Sequence, residues 1–293
     1  MRAIYYITPF LLIGFAGNPS HAIDGLPTLA WETETIFKQP ESAIYDEKRD
    51  ILYVSNINGE GMAKDGNGFI SKLELDGTVT ELEWVKGLDG PKGLTISGDK
   101  LYASDITALV EIDIEQGTIT NRYEAEGAQF MNDVAADANG NVYVSDMITN
   151  TIHRLSDGAF SVWIHDEQLE NPNGLHVEDD KIILGAWGNM KDDFSTEVPG
   201  NLKTISLADG TIKDLGNGMA VGNLDGVEAD GNGNYYVTDW MAGTLMHIKP
   251  SGEAQTLLEL GNGSADHEVL LNQGIIIIPM MKNDKVLAYK IAQ

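Results

Sequence analysis

From residue 40 onward the chain runs in short alternations of apolar and polar residues, separated by Asp-Gly, Asn-Gly and Ser-Gly turns. A period of two over five or six residues marks a strand with one buried face, and such turns join antiparallel neighbours. The unit is clearest after Asn132: apolar Val134-Ala135-Ala136, a turn at 137–140, a second run at 142–146, then a hairpin of 151–155 and 160–164. The stretch 225–260 repeats that order, with turns at 230–233 and 250–252. Nothing of length reads as a helix.

Each unit opens on a polar residue next to Pro, Gly or Leu: Glu41, Lys92, Asn132, Asn173, Asp225 and Asp266. Their separations are 51, 40, 41, 52 and 41 residues, and one four-stranded propeller blade takes about 45. The spacing predicts an all-β, six-bladed β-propeller. Inner strands of a propeller begin around a central channel, so the six polar side chains are expected to converge there. The last unit supplies only three strands, near 267–271, 274–279 and 285–291, whereas 31–37 has no blade before it and resembles the fourth strands at 78–84 and 118–123. Placing 31–37 on the edge of blade six closes the ring and removes two exposed sheet edges. Insertions at 58–68 and 188–200 account for the two long spacings. Both follow a second strand, which puts them at the channel mouth, where long loops cover a ligand or simply elaborate the surface.

The N-terminus changes the picture only at its edge. Arg2, the mostly apolar run 3–17 and Ser20-His21-Ala22 read as a signal peptide over 1–22. That leaves 23–293 as one domain and predicts export to a periplasm or the medium. The apolar run, broken by Pro9 and Gly14, is too short for a membrane span. With no cysteine, stability rests on the core rather than on disulfides. A net charge of −26 argues against nucleic acid or anionic membrane as partner, because phosphate binding needs clustered Lys and Arg. It suits a solvated surface or the attraction of cations.

The ring is the candidate chemistry. Glu41, Asp225 and Asp266 are carboxylates, Asn132 and Asn173 neutral oxygen donors, and Lys92 a cation. Hard cations take several such oxygens. Three negatives and one positive leave −2, enough for one divalent ion unless Lys92 pairs with a carboxylate; the bland alternative is a water-filled channel. Two other features read as structural. Asp137-Ala138-Asn139-Gly140-Asn141 and Asp230-Gly231-Asn232-Gly233-Asn234 resemble calcium-loop starts, but Val142 and Tyr235 stand where the sixth-position Gly belongs, so they are hairpin turns. Asn56, Asp105, Asp146 and Asp239 close second strands and are expected to hydrogen-bond there; Trp187 closes that of blade four, as a pocket wall or as packing under its loop. His176, His247 and His267 show no metal-ligand spacing.

Pro40-Glu41 followed by 51–56, Asn132-Asp133, Pro172-Asn173-Gly174-Leu175 and Leu224-Asp225-Gly226-Val227, in that order, resemble the senescence marker protein/gluconolactonase/luciferin-regenerating enzyme (regucalcin-like) family. The resemblance implies a metal-dependent hydrolase of lactones or related esters, with a small-molecule substrate. It implies Glu41, Asn173 and Asp225 as ligands of a divalent cation, with Asn132 on metal or substrate. Calcium is the expected ion, with zinc, magnesium and manganese as alternatives. Asp225 would accept a proton from the attacking water. Lys92, Phe130, Asn132, Trp187 and Asp266 are the expected substrate contacts. Sugar-lactone members carry an arginine two residues before the blade-three Asn; here Phe130 stands there, so a more apolar substrate fits better than an aldonolactone. Lys92 is the second departure, read as orienting substrate, stabilising an oxyanion or replacing the metal. Gly90-Pro91-Lys92-Gly93-Leu94 is similar to NHL-repeat propellers, which leaves a non-catalytic ligand- or protein-binding propeller as the rival.

Overall fold

Alternating strands joined by tight turns can bury both faces only by stacking sheets, and a closed ring of sheets is what forms. The computed structural model describes residues 25–191 and 193–291; the expected signal peptide lies outside them. Six four-stranded antiparallel sheets make the blades. Their inner strands are Pro40–Asp46, Pro91–Ser97, Met131–Ala136, Pro172–Glu178, Leu224–Ala229 and Glu268–Leu270. Second strands, such as Val142–Asp146 and Ile51–Asn56, are buried at all or all but one position, whereas outer strands such as Ala159–His165 are largely exposed. The core lies between blades: Tyr53, Ile70 and Val85 of the first pack on Leu94, Leu101 and Val110 of the second.

Blade six takes its outer strand from the N-terminal side, as expected, but from different residues. Thr28–Glu32, not 31–37, pairs with Lys285–Lys290. Beyond Glu32 the chain bends inward, because Phe37 is fully buried between blades six and one, against Leu52, Leu73 and Ile277. Trp31 fastens the closure. Its indole N–H donates to Leu75 O at 2.9 Å, and its ring lies where a Cβ on Gly77 (φ 87°) would come within 2.7 Å. Trp84 packs on Gly117 in the same way between blades one and two.

The 188–200 insertion is not a plain loop. It folds as a two-stranded hairpin, Gly188–Met190 with Thr196–Pro199. Asp137 and Asp230 spend their carboxylates on their own turns, accepting from the N–H groups of Asn139 and Asn141, and of Asn232 and Asn234. No helix of the described residues is long and apolar enough to cross a membrane.

Candidate active site

Inner and second strands meet at the mouth through the pairs Pro40↔Asn56, Pro91↔Asp105, Met131↔Asp146, Pro172↔Ala186 and Leu224↔Asp239. Each is followed by a register shift before the ladder resumes. Such bulges re-aim side chains at barrel and sheet ends. Glu41, Lys92, Asn132, Asn173 and Asp225 occupy the irregular position after these pairs, and all five line one cavity of about 150 Å³.

Asp266 does not join them. In blade six the corresponding bridge is Ser264↔Met280, so the ring position belongs to Ala265. Asp266 falls in the register of Ser42, one residue further along its strand. Its Oδ2 accepts from Ser42 Oγ at 2.6 Å, and its N–H donates to Glu41 O at 3.0 Å. Asp266, expected from the sequence to contact substrate, does not line the cavity. A bulge absorbs an extra residue, so a spacing of 41 rather than 40 conceals the slip.

Trp187 needs a similar correction. Ala186, not Trp187, takes the strand-end position in blade four. Trp187 belongs instead with Ile57, Ile106, Met147, Trp240 and Met281, each of which follows a strand-end residue. All of this second, apolar ring except Ile106 line the cavity, together with Phe130 and Phe194. Sequence reasoning missed Ile57, Met147, Trp240 and Met281. The signal was present, because a large apolar residue follows the second strand in every blade.

Two strand-end acids, Asp105 and Asp146, hold the connections that carry Lys92 and Asn132. Asp105 accepts from the N–H groups of Asp89 and Gly90 at 2.9 and 2.8 Å, just before Lys92. Asp146 accepts from Gln129 and Phe130 at 2.8 and 3.1 Å, just before Asn132. Asn56 accepts from Lys38 N–H, and Asp239 from Ala242 N–H.

Lys92 is 2 % exposed. Its Nζ donates to Gly61 O at 3.1 Å and Gly90 O at 3.0 Å and stands 4.5 Å above the Phe130 ring. It makes no ion pair within 4.0 Å among the described residues, so it leaves the carboxylates free. Burial lowers its pKa, with Glu41 and Asp105 pulling the other way. Burial pushes the Glu41 carboxyl well above its usual range, reinforced by the Asp225 and Asp266 carboxylates. Asp225 is raised by burial and then by Asp266. His176 and His247 are used elsewhere, paired with Glu228 at 3.1 Å and Asp230 at 2.9 Å. His267 is buried without a hydrogen-bond partner and lies outside the cavity.

The donor set fits a hard cation. Glu41 Oε2 and Asn173 Oδ1 are buried and accept no hydrogen bond, a costly state for oxygen. The Asn173 amide N–H groups donate to Leu224 O at 3.1 Å and Asp225 Oδ1 at 3.2 Å, so its oxygen is the free end. Two carboxylates and an amide oxygen around one cavity, with the local cation engaged by backbone carbonyls, match what such an ion takes.

Residues 39–264 match the SMP-30/gluconolactonase/LRE-like region. The chain belongs to this family. Its resemblance to solved structures is one of fold. A gluconolactonase from Xanthomonas campestris superposes with a TM-score of 0.65 at 13% identity, covering 91% of this chain and 88% of that one. A virginiamycin B lyase from Staphylococcus aureus gives 0.59 at 13%, over 86% and 95% of the two chains. A chain of a nidogen/laminin complex gives 0.56 at 17%, over 74% and 79%. No curated protein matches in sequence. Six-bladed architecture and family membership make this a lactonase-like propeller.

Proposed function

We propose that the protein is an exported, divalent-cation-dependent hydrolase of lactones or related esters. The observation that carries the reading is the pair of buried, unpartnered oxygens, Glu41 Oε2 and Asn173 Oδ1, in one cavity with Asp225. Glu41, Asn173 and Asp225 would hold the ion, calcium in the first instance, with Asn132 on the ion or the substrate. When bound, such an ion polarises a carbonyl oxygen as a Lewis acid.

The remaining work falls to side chains. Asp225 accepts the proton of the attacking water, and Asn173 holds that carboxylate in place through its N–H. A divalent cation beside these oxygens would offset the burial that raises both carboxyls. Lys92, with two of its hydrogens on carbonyls, offers a third to the substrate carbonyl as negative charge develops there. Export rests on the 1–22 pattern alone.

The test is hydrolysis of a lactone and aryl-ester panel by the mature protein, with added calcium and then with excess chelator. Turnover lost with chelator and regained with metal supports the reading. Absence of turnover with every metal favours the ligand-binding propeller, in which Lys92→Ala weakens a ligand and chelator changes nothing.

A further inference from the structure

We infer that the cavity is built for a substrate whose body is a single aromatic ring, and that the hairpin over 188–199 sets this preference by placing Phe194 in its wall. The inference rests on the hydrolase reading for the reaction but not for the binding.

Size comes first. The cavity holds about 150 Å³, and an apolar cavity of about that volume takes a benzene-sized molecule. Its wall supplies matching chemistry. Phe130 and Phe194 stand 5.5 Å apart, tilted by 57°. Trp187 and Trp240 stand 6.1 Å apart, tilted by 49°. Tilted pairs at such spacing present edges and faces to a further ring.

Apart from the third hydrogen of Lys92 and the second of Asn132, the polar hydrogens of the wall have partners inside the protein. Asn132 Nδ2 donates to Met147 Sδ at 2.9 Å and Trp240 Nε1 to Met281 Sδ at 3.2 Å. Trp187 Nε1 donates to Phe194 O at 3.0 Å. A polyhydroxylated lactone would bury hydroxyl groups against sulfur and ring carbon, at about 1–3 kcal/mol for each left unpaired. An aromatic ring buries nothing that needs a partner. The two unpartnered oxygens, on Glu41 and Asn173, belong to the inner-strand ends, where the ester group would lie.

Phe194 is held for this position. Its φ is 63°, uncommon for a residue with a bulky side chain. The strain is held by bonds on both sides: Phe194 N–H to Lys191 O at 2.9 Å, and Phe194 O from the Trp187 indole. Asn223 ties the hairpin down by donating to Trp187 O at 2.8 Å and Thr196 Oγ1 at 2.9 Å. A strained residue over-determined by its surroundings points to a site. Here it turns its ring towards Phe130.

In a fused aryl lactone, the water oxygen bonds to the acyl carbon as Asp225 takes one of its protons, the acyl–O(aryl) bond breaks, Asp225 passes that proton to the phenoxide oxygen, and the new carboxyl group releases the water's second proton to solvent. The product is a phenol carrying a carboxylate.

The experiment uses the mature protein with calcium. Values of kcat/KM are compared for 3,4-dihydrocoumarin, δ-valerolactone and glucono-δ-lactone, and quenching of tryptophan fluorescence by the non-hydrolysable 1-indanone is measured against cyclohexanone. We expect dihydrocoumarin to lead by at least tenfold and indanone, not cyclohexanone, to quench. Phe194→Ala should reduce the dihydrocoumarin-to-valerolactone ratio and weaken indanone at least tenfold, with Phe194→Leu intermediate. A preference for glucono-δ-lactone, or ratios and quenching unmoved by Phe194→Ala, overturns the inference. Indanone binding that depends on Phe194, without hydrolysis of any lactone, upholds the ring pocket and removes the hydrolase reading.

Discussion

Asn173 donates its side-chain amide to Asp225 across 3.2 Å, although 52 positions separate them in the chain. The bond joins blades four and five at the mouth and fixes which end of the amide faces the cavity. It leaves the side-chain oxygen of Asn173 free beside the Asp225 carboxylate that its N–H contacts. The catalytic and ligand roles proposed for Asp225 and Asn173 would thereby be coupled in adjacent positions of the ring.

Asp225→Asn keeps the shape and the contact with Asn173 but removes the proton acceptor. We expect kcat to fall by about 10²–10⁴-fold in a variant that still folds, as read by circular dichroism. Turnover within a few-fold of the parent would remove Asp225 as the base.

Calcium should stabilise the fold by satisfying Glu41 Oε2 and Asn173 Oδ1. At a hundredfold excess over Kd the gain is about 2.7 kcal/mol, about 5 °C in Tm for a domain of this size. Excess chelator should reverse it, and Glu41→Gln should require more calcium for the same shift. A Tm indifferent to both calcium and chelator would count against a cation at this ring.

Burial pushes Asp266 up to about 7, from an ordinary value of 3.8. Between those values the folded chain keeps a proton that the unfolded chain releases. The contribution of Asp266 to stability is therefore greatest at acid pH and is lost as pH rises towards 7. Asp266→Asn should gain in Tm relative to the parent between pH 4 and pH 8 in chelator. A difference that is flat or of opposite slope would show that Asp266 titrates normally.

Trp31→Ala should loosen the ring where it closes. The indole loses its bond to Leu75 and its packing on Gly77, at about 2–3 kcal/mol for this half-buried ring, below the range for a full core aromatic. We expect Tm to fall by about 5 °C, read by circular dichroism. An unchanged Tm would mean that the outer strand of blade six contributes little to closure.

Sequence alone was enough for the architecture, because strand alternation and turn chemistry are local and repeat within each blade. It was also enough to nominate Glu41, Lys92, Asn132, Asn173 and Asp225, since each follows the first residue of an inner strand. Tertiary structure decided what local pattern cannot carry. Whether Ala265 or Asp266 faces the channel depends on a bulge that shifts register by one residue, and either assignment satisfies the alternation. The closing strand lies at Thr28–Glu32 rather than 31–37 because Phe37 is drawn into a core shared with residues more than two hundred positions away. Phe194 meets Phe130 only because a hairpin folds back over the mouth. Lys92 is kept from the carboxylates by the carbonyls of Gly61 and Gly90. Each of these outcomes is a competition among long-range contacts, and only the assembled ring resolves it.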